Sequence, residues 1–241
     1  MTRDAFLGGR VMVTQPAKGY RAATDPVFLA AAVTARAGHR VLELGCGAGV
    51  AALCLLARVP GAQVTGVELQ SDYAALAREN GAEADFTVYC ADVAALPVDL
   101  RQKSYDHVMF NPPWYTPGMV EDPADPGRCV AHVGAMAPWF DVGLRRLRPG
   151  GTVTVIQRAE RLGDMLSALG PQAGSVQVLP LASRVGRDAG RVVVRAVKGG
   201  RGALRLRAPM VVHRGESHRD GDSFSDAARA VLRDGAAISW H

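Results

Sequence analysis

The chain has 241 residues, 48% of them hydrophobic and 21% charged, with a formal net charge of +5. That apolar share suits one folded domain of α/β size and excludes a disordered chain. No apolar run reaches the ~18 residues that a membrane helix requires, and residues 1–10 lack the apolar stretch of a signal peptide. The expected location is therefore the cytoplasm, with no membrane partner.

In chain order, Thr24-Asp25-Pro26 predicts the start of a helix, with Asp25 capping free amides and Pro26 in the first turn. An alanine-rich run carries this helix to Ala37, where Gly38 stops it. Residues 40–44 read as a buried strand, 49–58 as a helix, 63–69 as a second strand, and 71–82 as a helix capped by Ser71. Residues 86–90 and 105–110 are further strands, and a loop rich in Pro and Gly spans 112–127. A helix over 130–147 follows in spite of Pro138 near its middle, then a strand over 152–157 and a helix over 160–169. Residues 176–181 and 191–197 are close neighbours, joined by 184–190 as a hairpin at the end of the sheet. The tail adds a strand at 210–213 and a short helix over 224–233. Apolar strands alternating with helices predict an α/β fold, a doubly wound and mostly parallel sheet with helices on both faces.

Cys46, Cys54, Cys90 and Cys129 have no CxxC spacing and read as buried free thiols. His213 and His218 lack a third ligand nearby, so no metal is expected. Charge is unevenly spread. Between Arg184 and Arg207 lie Arg184, Arg187, Arg191, Arg195, Lys198, Arg201, Arg205 and Arg207 against one acid, Asp188. This segment carries +7 and the remainder −2, the local positive field of a surface that meets phosphates.

The sharpest local pattern is Glu43-Leu44-Gly45-Cys46-Gly47-Ala48-Gly49, closing the first strand of the alternating series. Gly45, Gly47 and Gly49 permit a tight turn and close approach of a ligand to the backbone around Cys46. The spacing is GxGxG rather than the GxGxxG of a dinucleotide site, and Glu43 would repel a pyrophosphate. This disfavours a nicotinamide-dependent dehydrogenase and fits a ligand with a cationic end. Glu68, followed by Leu69, closes the second strand and is placed to bind ribose hydroxyls. Asp92 closes the third, positioned to accept from an adenine amino group, with Val93 supplying a backbone amide.

Asn111-Pro112-Pro113-Trp114 closes the fourth strand. With these residues the sequence resembles the amino-methyltransferases of the class I fold, which carry [Asn/Asp]-Pro-Pro-aromatic. The resemblance implies S-adenosylmethionine as cofactor and a Rossmann-like, seven-stranded sheet with a reversed strand near its C-terminal end. It also implies that the Asn111 side chain and the Pro112 carbonyl accept hydrogen bonds from the target NH2. The physics is consistent: an adenine or amide NH2 has a delocalised lone pair, and two acceptors gripping its hydrogens turn that lone pair toward the methyl group. Pro112 and Pro113 stiffen the backbone that carries the acceptors. Trp114 is expected to stack on a flipped base.

Residues 15–30, with Gln15-Pro16-x-x-Gly19-Tyr20-Arg21-x-x-Thr24-Asp25, resemble the tRNA (adenine-N6) methyltransferases that modify the adenine beside a valine anticodon. The likeness runs from about Gly9 to Gln157, and Trp114 departs from the Tyr or Phe more usual in that family. It implies that Tyr20, Arg21, Thr24 and Asp25 cover the cofactor and shape the substrate pocket, with Arg21 or Lys18 near a phosphate or carboxylate. Residues 1–38 are then a lid or substrate segment, 39–200 the catalytic domain, and 201–241 an extension packed on it. The expected partner is RNA, chiefly tRNA, held in part by Arg191 and Arg195 of the basic segment. Alternatives keep the chemistry on a protein glutamine amide or on rRNA guanine N2. Glutamine enzymes of this fold usually carry an extra helical domain, whereas about 40 residues precede the first strand here. A third alternative, a non-enzymatic RNA assembly factor that binds the cofactor, does not account for Asn-Pro-Pro-Trp.

Overall fold

The structure, a computed structural model, describes residues 1–113, 136–215 and 223–240. Trp114, Cys129, His218, the loop over 119–127 and the expected helical start over 130–135 lie outside the described residues.

The chain opens with an antiparallel hairpin, β1 (Thr2–Phe6) and β2 (Val11–Gln15), that the sequence reading did not foresee. Then come α1 (Asp25–Ala32), β3 (Arg40–Leu44), α2 (Val50–Arg58), β4 (Gln63–Glu68), α3 (Ser71–Asn80) and β5 (Phe86–Cys90). They are followed by α4 (Val98–Arg101), β6 (Tyr105–Phe110), α5 (Ala137–Arg146), β7 (Leu147–Arg158) and α6 (Leu162–Leu169). The chain ends with β8 (Ala173–Ala182), β9 (Ala189–Lys198), β10 (Arg205–Leu206), β11 (Met210–Val211) and α7 (Asp226–Leu232).

The expected seven strands lie side by side as β8-β9-β7-β6-β3-β4-β5, and the two-residue β10 and β11 prolong the sheet along β8. β9 runs antiparallel to both neighbours, while the remaining pairs are parallel. From β3 the chain steps outward through β4 and β5, then returns to place β6 and β7 on the other side. The β3–β6 seam is the switch point, where an open α/β sheet leaves a crevice at its carboxyl edge.

Strand alternation divides the core into two layers. Val41, Met109, Ile156 and Val193 pack with Phe28, Leu55 and Trp240 on the α1–α2 face. Leu42, Leu44, Val108, Phe110, Val153 and Val155 pack with Phe140, Leu144 and Met165 on the α5–α6 face.

Several boundaries differ from the sequence reading. Helix α1 ends at Ala32, short of Ala37, because its last carbonyls are taken by distant donors. Arg58 Nη2 donates to Ala30 O at 2.8 Å and Val33 O at 2.6 Å. The Ile238 amide reaches Ala31 O at 2.8 Å, and Trp240 Nε1 reaches Ala32 O at 2.9 Å. Thr24, whose carbonyl receives the Val27 and Phe28 amides, occupies the cap position of α1 without a side-chain cap bond. Asp25 does not cap. Pro138 falls in the first turn of α5, where its missing N–H costs nothing. Ser71 is the first residue of α3, after a Gln70 cap. Cys46 and Cys54 are buried, as expected, but Cys90 is exposed at the end of β5.

The Trp240 ring is 4% exposed and its N–H is satisfied by α1. Trp240→Ala is expected to lower unfolding free energy by about 3 kcal/mol, measured by urea denaturation.

Candidate active site

Leu44 pairs with Phe110 across the β3–β6 seam, so Gly45 and Asn111 are the next residues of two adjacent strands. Leu44 also pairs with Val67, and Glu68 with Cys90, so the glycine turn, Glu68 and the start of the Asp92 segment share one edge of the sheet. The structure thus brings the sequence-predicted groups to the carboxyl end of four neighbouring strands.

The glycines do different work. All three of Gly45, Gly47 and Gly49 have positive φ, at +66°, +54° and +89°. A Cβ on Gly45 would stand 2.8 Å from the Trp139 ring of α5, and one on Gly49 2.8 Å from Phe86. Those two glycines therefore admit aromatic packing. A Cβ on Gly47 would have nothing within 4 Å, so its backbone is the one left open to a ligand.

Glu68 Oε2 accepts from the Gly47 amide and Oε1 from the Gln70 amide, each at 2.9 Å. This clamps the turn to β4 and leaves the carboxylate further lone pairs for hydroxyl donors. Glu43 is buried at 5% exposure, and its Oε2 has no hydrogen-bond partner. Burial pushes its carboxyl well above the usual range; the Ala52 amide opposes this, and the nearby Glu68 charge adds to it. Burial likewise raises the Cys46 thiol, so Cys46 is no nucleophile. The open Gly47 backbone and the spare lone pairs of Glu68 fit a ligand that brings hydroxyl donors.

Asp92 lies two residues beyond β5, where its Oδ1 accepts the Ala94 amide at 2.8 Å and Val93 is buried beneath it. Leu69 is exposed, and its carbonyl faces Cys90 Sγ at 3.7 Å. Asn111 is half-buried, Pro112 buried and Pro113 exposed. The Pro112 carbonyl accepts from Gln157 Nε2 at 2.8 Å.

Two polar residues fix the N-terminal segment, Asn80, absent from the sequence reading, and Gln15, to which that reading gave no role. Asn80 Nδ2 donates to Thr14 O and Ala48 O at 3.0 Å each, while its Oδ1 accepts the Thr14 amide at 2.9 Å. It therefore staples β2 to the glycine turn. Gln15, 2% exposed, exchanges bonds with Ala22 in both directions, folding residues 16–22 back on the hairpin. The Tyr20 carbonyl accepts from Tyr73 OH at 2.8 Å, and Arg21 pairs with Asp4 at 2.7 Å. A single Gln or Asn carries no periodic signal, so only its partners reveal its role.

A family model described as a methyltransferase domain matches residues 41–119. The tRNA1(Val) (adenine(37)-N6)-methyltransferase of Dickeya chrysanthemi is 28% identical over 218 residues, covering 86% of this chain and 85% of that protein. The protein of the same name from Aeromonas hydrophila is 28% identical over 181 residues, covering 73% and 76%. Among solved structures, a predicted O-methyltransferase from Agrobacterium tumefaciens superposes with a TM-score of 0.73 at 27% identity, over 89% of this chain and 98% of that one.

The chain has the class I methyltransferase fold, and residues 41–119 match a methyltransferase domain. Its strand order, with the reversed β9, is that of the class I methyltransferase fold, and Gly45–Gly49 and Asn111 stand side by side at its carboxyl edge.

The basic segment of this methyltransferase is divided by its own topology. Arg158 pairs with Arg191 at the carboxyl end of β7, and Thr152 with Val197 at the other. The β8–β9 turn with Arg184 and Arg187 therefore lies at the same end as Asn111, whereas Lys198 and Arg201 lie at the opposite end and Arg205 on β10 is level with Arg195. Arg191 and Arg195, expected to meet RNA, share the β9 face that carries Val193. Arg191 pairs with Asp25 of α1 at 2.9 Å. Arg195 stacks over the Trp240 ring at 5.8 Å, and burial lowers its pKa. Both are engaged by groups of the α1 layer, Arg191 by Asp25 and Arg195 by Trp240.

Gly45→Ala forces a left-handed backbone and a clash with Trp139, with an expected cost of about 2–3 kcal/mol. Gly150→Ala, at φ +75° with open space around it, is expected to cost about 1 kcal/mol. Chemical denaturation of the two variants checks the difference.

Proposed function

We propose that this protein transfers a methyl group from S-adenosylmethionine to N6 of adenine in tRNA. The observation that carries the reading is the position of Asn111-Pro112-Pro113, one residue past the β3–β6 pairing and adjacent to the open Gly47 turn. When bound, S-adenosylmethionine supplies a sulfonium methyl whose S–C bond breaks as the N–C bond forms, after which the nitrogen gives one proton to water.

The chain's own residues supply orientation. The Asn111 side-chain oxygen and the Pro112 carbonyl accept from the two hydrogens of the target amine, which fixes its lone pair in the direction of attack. Both are acceptors and neither is a base. This favours an amino nitrogen over a hydroxyl, whose proton must be removed, although the Agrobacterium protein is named for oxygen transfer. The Dickeya and Aeromonas relatives support adenine N6 by name. An adenine in a folded RNA must leave its stack to reach this edge, and Glu68, Asp92 and Glu43 remain assigned to the cofactor, with Tyr20 and Thr24 covering it.

Labelled methyl transfer to tRNA, rRNA and protein from cells lacking this chain tests the reading. Label recovered as N6-methyladenosine from tRNA is the expected result, and label confined to protein or rRNA would replace the substrate. Asn111→Ala is expected to reduce transfer at least ~100-fold while cofactor affinity, read by calorimetry, stays unchanged.

Charge reversal separates the two ends of the basic segment. Arg184→Glu with Arg187→Glu is expected to raise the KM for tRNA and flatten its salt dependence, each lost phosphate contact removing a slope of about one. Arg201→Glu with Arg205→Glu, equal in charge but away from the Asn111 end, is expected to change KM less. Equal effects from the two pairs would mean that RNA covers both ends.

A further inference from the structure

Gln157 is an amide in an apolar place. It is 2% exposed, near the end of β7, and it pairs through its backbone with Val192 of β9 on one side. On the other side β6 has no ladder to offer. The β6–β7 pairing stops at Phe110 and Val155, and the next residues of β6 are Asn111, Pro112 and Pro113. Two prolines in succession remove two backbone donors, so this segment presents carbonyls without the N–H groups that would normally hold it in register.

The Gln157 side chain substitutes for the missing rung. Its Oε1 accepts the Arg158 amide at 2.8 Å, and its Nε2 donates to the Pro112 carbonyl at 2.8 Å. The first bond sets which end of the amide is which, because an N–H can be received only by the oxygen. Nε2 is thereby committed to Pro112. A carbonyl oxygen has two lone pairs, and one is now occupied in a fixed direction. The remaining lone pair is the one that meets the acceptor amine in the reading above.

We propose that Gln157 is a positioning residue that aims the Pro112 carbonyl at the acceptor amine. It touches no substrate atom itself. The inference rests on the assignment of Asn111 and Pro112 to the reaction, and it adds a residue that lies some 45 positions away in sequence. A displaced carbonyl would bind cofactor as before but hold the amine in the wrong direction, so the defect belongs in kcat rather than in cofactor affinity.

The test compares wild type, Gln157→Met and Gln157→Glu in methyl transfer to bulk tRNA, with S-adenosylmethionine affinity and thermal unfolding measured alongside. Gln157→Met keeps the length and loses the donor; its kcat is expected to fall on the order of 10- to 100-fold with cofactor affinity unchanged. Gln157→Glu keeps the oxygen that receives the Arg158 amide and can donate to Pro112 only as the neutral acid. Its kcat relative to wild type is expected to rise as pH falls from about 8 to about 6, since a buried carboxyl facing a carbonyl is protonated more easily. A role in stability alone would not produce that profile.

A pH-independent deficit in Gln157→Glu, or a Gln157→Met enzyme with wild-type kcat, overturns the inference and leaves the proposed function standing. A loss of cofactor affinity as large as the loss of kcat makes Gln157 a structural residue, with the same consequence. Absence of transfer by the wild-type chain to tRNA, rRNA or protein overturns the reading of the site and this inference with it.

Discussion

A parallel sheet that winds outward from its centre in both directions sends the connections from its two middle strands to opposite faces, and nothing covers the ends of those strands. Here the two middle strands are β3 and β6. Everything that bears on chemistry follows from that seam. The residue after β3 is the first glycine of the turn, and the residue after β6 is Asn111. Two segments separated by more than sixty residues are therefore neighbours by register, with no further device required to bring them together.

The seam alone gives an opening, and the local sequence makes it specific. On the β3 side, positive-φ glycines let the chain turn before α2, while Glu68 receives the Gly47 amide and fixes how far the turn opens. On the β6 side, the consecutive prolines end the ladder, and the Gln157 side chain takes up the Pro112 carbonyl. The N-terminal hairpin closes the third side, held to the same turn by Asn80 through both Thr14 and Ala48. Each wall of the site is tied to another by a side-chain amide or carboxylate bonded to backbone. Such bonds are directional and partly buried, so they limit the site to a narrow range of geometries.

The parts legible in the sequence were those whose cause is local. Strands Phe86–Cys90 and Tyr105–Phe110 have the bounds read from their apolar runs, and the glycine turn and the Asn-Pro-Pro segment stand at strand ends as their composition demands. The parts not legible have distant causes. Alanines favour helix as far as Ala37, yet α1 stops at Ala32 because Arg58 and the tail compete for its carbonyls. The β1–β2 hairpin alternates too weakly, through Arg3, Asp4 and Thr14, to stand out from a polar leader. Charge clustering drew attention to Arg191 and Arg195, but period two on β9 directs both toward α1, where Asp25 and Trp240 engage them. A linear count of arginines cannot distinguish the two faces of a strand or the two ends of a hairpin.

This division of the basic segment also constrains how a large anionic substrate can approach. The exposed Arg187 and its neighbour Arg184 stand at the rim, while Arg201 lies beyond the far end of the same strand pair and Arg205 is level with its middle. Acids at that rim, Asp25, Glu160, Asp164 and Asp188, offset much of the arginine charge there, and three of them are already paired with Arg191, Arg158 and Arg161. Long-range attraction to phosphate is therefore weaker at the rim than the +7 of the segment suggests. Under the proposed reading, selection of the acceptor then depends more on the short-range geometry at Asn111 and Pro112 than on charge. In that reading Asn111 and Pro112 offer two acceptors, which suit a group that brings its own hydrogens, and an exocyclic amine does so.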